Sequence, residues 1–181
     1  MGGDERLRLF CALLLPCDAV EALVRWQEAE LVPAGGALRV VSRENLHVTL
    51  AFLGSTPAAR LPDIVAALER ARSGLAAPLL DAVRYRETRS VGMIQLSDEG
   101  ARAEALAERL WDGLERLGVY TREERRWLPH VTVARFRTRP RLAPAMPALG
   151  EVVPSDAAVM ISRLRPGGVQ YEVFESVSLG G

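Results

Sequence analysis

A chain of 181 residues, 49% of them hydrophobic, is long enough to bury a core in one domain or in two small, closely packed lobes. Its 23 basic residues, all arginine, are matched by 23 acidic ones, for a formal charge of zero; that argues against gripping long nucleic acid by bulk charge and leaves room for a small anion or a chain end. No apolar run approaches the roughly 18 residues of a membrane span, and the N-terminus is a poor signal peptide, so the expectation is a cytoplasmic protein off the membrane. The lack of lysine is read as coding bias rather than as selection for bidentate phosphate binding.

In chain order, residues 6–15 form a Leu-rich apolar run stopped by Pro16, which predicts a strand buried on both faces. Asp18 with Glu21 three residues on predicts a capping-box start for a helix carried by Leu23, Trp26 and Leu31 toward Pro33 and Gly35-Gly36. A short strand follows at 38–41. After a polar turn, the strand around His47 alternates, with His47, Thr49 and Ala51 on one face and Val48, Leu50 and Phe52 on a core face. Gly54-Ser55-Thr56-Pro57 is expected to break that strand. Pro62 then starts a helix spaced by Ile64, Ala67, Leu68 and Ala71 up to Gly74.

Strands at 79–86 and 91–96 lead into an amphipathic helix with Ala103, Leu106, Leu110, Leu114 and Leu117 on its apolar face and Gly118 as its C-terminal cap. A charged loop at 121–126 precedes a strand at 128–135. A Pro-rich stretch at 140–154 and two last strands, 157–164 and 169–177, turning at Pro166-Gly167-Gly168, complete the chain. Close strand pairs among helices imply antiparallel connections and an α+β fold. Cys11 and Cys17 lack zinc-ligand spacing, and Cys11 reads as a buried thiol.

The two histidines of the chain, His47 and His130, are each followed by Val, Thr and an aliphatic residue, and lie 83 positions apart, near half the chain length. Such a repeat predicts two pseudo-symmetric lobes, antiparallel sheets flanked by helices, enclosing a central cleft with His47 opposite His130, all within one domain spanning 1–181. Paired imidazoles suit in-line displacement at a phosphodiester: one, neutral, takes a proton from water, and the other, charged, protonates the departing oxygen. Thr49 and Thr132 can donate to the non-bridging oxygens. No third ligand is spaced near either motif and Thr is a poor zinc ligand, so neither metal nor cofactor is expected. Between Arg122 and Arg141 stand seven Arg and two Glu; this field is expected to keep His130 neutral and to attract a phosphate.

Asn45-Leu46-His47-Val48-Thr49-Leu50-Ala51-Phe52-Leu53-Gly54 and Pro129-His130-Val131-Thr132-Val133-Ala134-Arg135 resemble the two-histidine phosphoesterase superfamily. Within it they look most like the bacterial and archaeal RNA 2′,3′-cyclic phosphodiesterases, first described as 2′-5′ RNA ligases. Weaker likeness at Arg6-Leu7 to Phe10, at Arg43 to Leu53 and around Ser162-Arg163-Leu164 with Tyr171 extends over nearly the full chain. The resemblance implies a two-lobed α+β fold around a cleft and hydrolysis of a 2′,3′-cyclic phosphate at an RNA 3′ end to a 2′-phosphomonoester. It implies His47 as proton donor and His130 as acceptor.

Arg135 and Arg125 match family positions as phosphate-binding candidates. A regular strand puts Arg135 on the face opposite His130 and Thr132, so a role at the phosphate requires a bend or bulge. Phe10, Trp127 and Tyr171 are candidates for base stacking, with core packing favoured for Phe10 and Trp127. The expected partners are RNA 3′ ends with 2′,3′-cyclic phosphate or related cyclic nucleotides, bound by a monomer. Rival readings are 2′-5′ ligation, a small-molecule cyclic phosphodiesterase, and a non-catalytic RNA-end binding module, which needs neither proton donor nor acceptor.

Overall fold

The computed structural model describes residues 5–36, 38–166 and 168–180. The apolar N-terminal run forms β1 (Arg6–Leu14), and its two faces serve two clusters. Leu9, Cys11 and Leu13 enter the main core, whereas Phe10 and Ala12 join Ala158, Met160 and the half-buried Tyr171 on the other side. Burial pushes the Cys11 thiol up to about 12, leaving it an inert packing group.

Helix α1 (Cys17–Trp26) starts where expected but without a capping box: Pro16 holds the N-cap position, and Asp18 Oδ1 accepts the neighbouring Ala19 N–H at 2.8 Å. The helix then widens into a π turn, Gln27–Leu31. That turn aims the buried Gln27 side chain, whose Nε2 donates to the carbonyls of Val41 (3.0 Å) and Val133 (2.8 Å). One amide thus ties the segment leading to the first histidine to the strand carrying the second.

The remaining elements are β2 (Leu38–Val40), β3 (His47–Pro57), α2 (Leu61–Arg72), β4 (Leu80–Glu87), β5 (Val91–Asp98), α3 (Arg102–Arg116), β6 (His130–Phe136), β7 (Asp156–Arg165) and β8 (Gly168–Ser178). One antiparallel sheet runs β4-β5-β6-β3-β1-β7-β8, with β2 also on β6. β3 and β6, which carry the repeated motifs, pair only at Val48–Val131. The expected α+β architecture with two related halves is therefore built on one continuous sheet, joined at that seam.

Because β6 begins at His130, beside the seam, β3 runs on with one edge unpaired by any strand among the described residues, and buried carbonyls there need other donors. Two indoles supply them: Trp127 Nε1 donates to Thr49 O at 3.1 Å and Trp111 Nε1 to Leu50 O at 2.9 Å. Trp111 belongs to α3, whose buried Leu106, Leu110 and Leu114 follow the predicted stripe. Gly118, at φ 68°, closes the helix as predicted: its N–H reaches Glu115 O at 2.9 Å and the Val119 N–H reaches Leu114 O at 3.1 Å, a Schellman arrangement. α2 and α3 cross closely at Gly113, where a Cβ would meet Ala67 Cβ at 3.2 Å.

Two expectations about β3 are corrected. It continues through Gly54-Ser55-Thr56-Pro57, pairing with β1 as far as Pro57–Arg6, and Gly54 takes the left-handed turn at φ 67° that a side chain disfavours. Its alternation also breaks, first at Leu50. Ala12 pairs with Thr49 and Cys11 with Ala51, so Leu50 is an extra residue; Ala51 joins the core at 2% exposure and Phe52 turns out to 53%. A bulge inverts the side chains that follow it, and a further irregularity comes at Leu53, between the pairs Phe52–Phe10 and Gly54–Leu9.

The Pro-rich stretch 140–154 lies over the β4 end of the sheet. Its start is fixed by Glu87, whose buried carboxylate accepts from Arg139 Nε (3.1 Å), Arg141 N (2.9 Å), Leu142 N (2.8 Å) and Tyr85 OH (3.1 Å). Burial raises the Glu87 pKa, but these donors outweigh it and leave the net value lowered. Further along, Val152 bridges Leu80. Among the described residues, no helix is long and apolar enough to cross a membrane.

Candidate active site

The seam sets the geometry of the paired motifs. With Val48 opposite Val131 in an antiparallel pair, Thr49 comes beside His130 and His47 beside Thr132, all four on the face away from the main core. Each histidine is fixed in the same way: His47 Nδ1 lies 2.8 Å from Asn45 O, and His130 Nδ1 lies 2.8 Å from Leu128 O. A carbonyl only accepts, so Nδ1 carries the hydrogen in both rings and Nε2 is left for proton exchange. His47 Nε2 meets Thr49 Oγ1 at 3.1 Å. Phe10 and Tyr171 pack around the His47 ring at centroid distances of 5.0 and 5.3 Å.

The strand problem posed by Arg135 is resolved by a second bulge. Thr132 pairs with Met93 and Ala134 with Gly92, so Val133 is extra, as Leu50 is in β3. Ala134 goes into the core, and Arg135 turns to the face of His130 and Thr132. The repeat is therefore longer than the His-Val-Thr core: both strands bulge at the aliphatic residue, bury the following Ala, and present the fifth residue after the histidine. That residue is Phe52 in one strand and Arg135 in the other.

A cavity of about 700 Å³ opens on this face, within the range of small-molecule sites. His47, Thr49, Thr132, Arg135, Phe10 and Tyr171 line it; His130, beside Thr49, stands outside the lining proper. Phe52, Arg8 and Arg39 are lining residues that sequence reasoning missed, and no acidic side chain is among the lining residues. Phe52 was findable as the counterpart of Arg135 in the extended repeat. Arg8, whose guanidinium lies 5.6 Å from the Phe52 ring centroid, and Arg39 carry no motif.

Arg125 does not line the cavity. Its side chain is 83% exposed and pairs with Glu123 at 2.6 Å. Trp127 is likewise committed to structure, half-buried against Trp111 with its indole bound to β3. Phe10 packs in the small core cluster and also reaches the cavity. Among the described residues, no three His, Cys, Asp or Glu side chains gather as metal ligands.

Burial, chiefly, drives the His47 pKa down to about 4; the Asn45 carbonyl opposes this, and the charges of His130 and Arg135 add to the fall. His47 is therefore neutral at neutral pH.

Two histidine–threonine strands facing one cleft across a pseudo-dyad define a two-histidine phosphoesterase fold. Residues 15–165 match the family model of the 2′-5′ RNA ligase superfamily, and the chain belongs to that superfamily. An RNA 2′,3′-cyclic phosphodiesterase of Thermus thermophilus is 35% identical over 97% of this chain and 91% of its own length. The crystal structure of TT0787 of Thermus thermophilus superposes with a TM-score of 0.79 at 32% identity, covering 97% of this chain and 99% of that one. Escherichia coli LigT complexed with 3′-AMP shares the fold, with a TM-score of 0.80 at 22% identity over 98% of this chain and 100% of that chain.

Proposed function

We propose that this protein hydrolyses the 2′,3′-cyclic phosphodiester at RNA 3′ ends to a 2′-phosphomonoester, with His47 and His130 as the proton-transferring pair. The observation that carries the reading is the matched anchoring of both rings, each Nδ1 held at 2.8 Å by the carbonyl two residues earlier, on strands that meet at one pair. The activity follows relatives such as the Thermus thermophilus cyclic phosphodiesterase.

In this reaction water attacks phosphorus as the bond to the ribose 3′ oxygen breaks. His130 takes the proton of the water and His47 gives one to the departing 3′ oxygen. Thr49 and Thr132 donate to the non-bridging oxygens, and Arg135 balances their charge. Burial holds the His47 pKa near 4, and the negative charge of a cyclic phosphate alongside raises it toward that of an effective donor. Acid and base are both side chains of the chain, so the step runs without a metal ion or cofactor. Arg125 stays outside the site. The reading includes a monomer working in the cytoplasm, a compartment that suits the free Cys11 and Cys17.

Incubation with an oligonucleotide ending in a 2′,3′-cyclic phosphate, followed by product analysis, tests this directly. Loss of the cyclic end with a 2′-phosphate product, undiminished after exhaustive chelation, is the expected outcome. A 3′-phosphate product, or activity that vanishes with chelator and returns with added zinc or manganese, would refute it.

A further inference from the structure

β2 and β6 place Arg39 directly opposite Arg135. Side chains directly opposite on antiparallel strands have Cβ atoms roughly 5 Å apart, and like charges in that arrangement destabilise a sheet. Both arginines line the cavity, which has no acidic lining residue. Among the described residues neither is paired with a carboxylate, while Arg43, Arg60, Arg122, Arg125, Arg126, Arg139, Arg163 and Arg165 are. A chain with as many acidic as basic residues thus leaves Arg39 and Arg135 on directly opposed positions of its cleft without a carboxylate between them, with Arg8 as a third lining arginine.

One cyclic phosphodiester carries a single negative charge, which Arg135 and the two threonines already meet. The bulge makes Thr132 to Arg135 equivalent to one two-residue strand repeat, roughly 6–7 Å, so Arg39, level with Arg135 on the neighbouring strand, stands far enough from Thr132 to meet a second phosphate. Arg39 stands across from Arg135 and reaches the β7–β8 turn, where a Cβ on Gly168 would come 3.4 Å from Arg39 Nη1. Gly168, at φ 122°, lets the guanidinium approach that backbone.

We propose that Arg39 binds the phosphodiester one nucleotide 5′ of the cyclic end, so that the preferred substrate is an RNA chain of at least two nucleotides rather than a cyclic mononucleotide. The proposal rests on the cyclic phosphodiesterase reading above and adds a second phosphate subsite to it. Arg39 does not touch the reacting atoms; it is a positioning residue, and its effect falls on substrate capture.

The test compares wild type and Arg39→Gln on a dinucleotide ending in a 2′,3′-cyclic phosphate, the same dinucleotide with an uncharged methylphosphonate linkage, and a nucleoside 2′,3′-cyclic monophosphate. Replacing the charged linkage should lower wild-type kcat/KM about ten- to a hundredfold, the value of a hydrogen bond to a charged group. Arg39→Gln should lose the same factor on the charged dinucleotide, through KM, and little on the other two. Its thermal melt should match or exceed wild type, because a like-charge pair has been removed. An equal loss on all three substrates, or no loss on the charged dinucleotide, would overturn the proposal. Failure of the wild type to open any of the three would instead refute the cyclic phosphodiesterase reading itself.

Discussion

His47 lies among Phe10, Tyr171 and its own strand, and what it loses by burial sets its protonation more than any neighbouring charge does. The sign of the consequence for stability follows from linkage. The ordinary value is 6.5 and the folded value about 4, so between these the unfolded chain binds more protons, and stability falls as pH drops from about 6.5 to about 4. We expect the melting temperature of His47→Gln to vary less across that window than wild type; identical profiles would count against the depressed pKa. A titration of the ring followed by NMR should place its midpoint near 4 in the free protein.

Arg135 and Arg125 differ just as clearly. Arg135 turns into the cleft while Arg125 pairs with Glu123 at the surface. Arg135→Ala should lower kcat/KM on the order of ten- to a thousandfold, the scale of removing one electrostatic contact to a transition state. Arg125→Ala should stay within about twofold of wild type, since exposed pairs contribute little. Steady-state kinetics on a cyclic-ended oligonucleotide distinguishes them, and comparable losses would overturn the assignment. The His-x-Thr pattern was legible because strand alternation carries it; the exposed position of Arg125 was not, because likeness in sequence says nothing about a side chain's exposure.

At the scale of elements, the decisive features are the bulges at Leu50 and Val133. Neither is marked by Gly or Pro, so simple alternation puts Phe52 in the core and Arg135 away from the cleft, the reverse of what pairing with β1 and β5 produces. A bulge belongs to two strands at once, which is why one strand read alone does not reveal it. The shared Ala51 and Ala134, both buried, are its trace in the sequence. Helices α2 and α3 were legible from their apolar spacing. The capping box at Asp18 was not formed because Pro16 took the N-cap position.

The free edge of β3 gives an element-scale prediction. Trp127→Phe keeps most of the apolar contact with Trp111 but leaves the Thr49 carbonyl without its donor at 3.1 Å. A loss of about 1–2 kcal/mol in unfolding free energy is expected. Turnover should also fall, because Thr49 and the His47 Nε2 that it meets shift together; thermal melts and kinetics on one preparation check both. Unchanged turnover beside lowered stability would mean that the indole supports the fold without holding the site.

Across the whole molecule, the candidate site lies where the two halves of the sheet meet, at Val48–Val131, with one histidine and one threonine from each strand. The internal repeat made the two-part architecture and its cleft legible. The cross-strand position of Arg39 and the approach of the β7–β8 turn were not, because both depend on registers between segments far apart in sequence. The zero overall charge likewise conceals a cleft whose charged lining residues are all arginines. If His47 and His130 serve opposite ends of one displacement, they act as a unit and their removal is not additive.

Steady-state turnover of a cyclic-ended oligonucleotide by His47→Ala, His130→Ala and the double variant, with a melt of each, tests that claim most directly. Each single change should lower turnover on the order of a hundred- to ten-thousandfold, the range for losing a general acid or base. The double variant should be little worse than the poorer single one, with all three folded. Near-normal turnover by either single variant would contradict the paired mechanism.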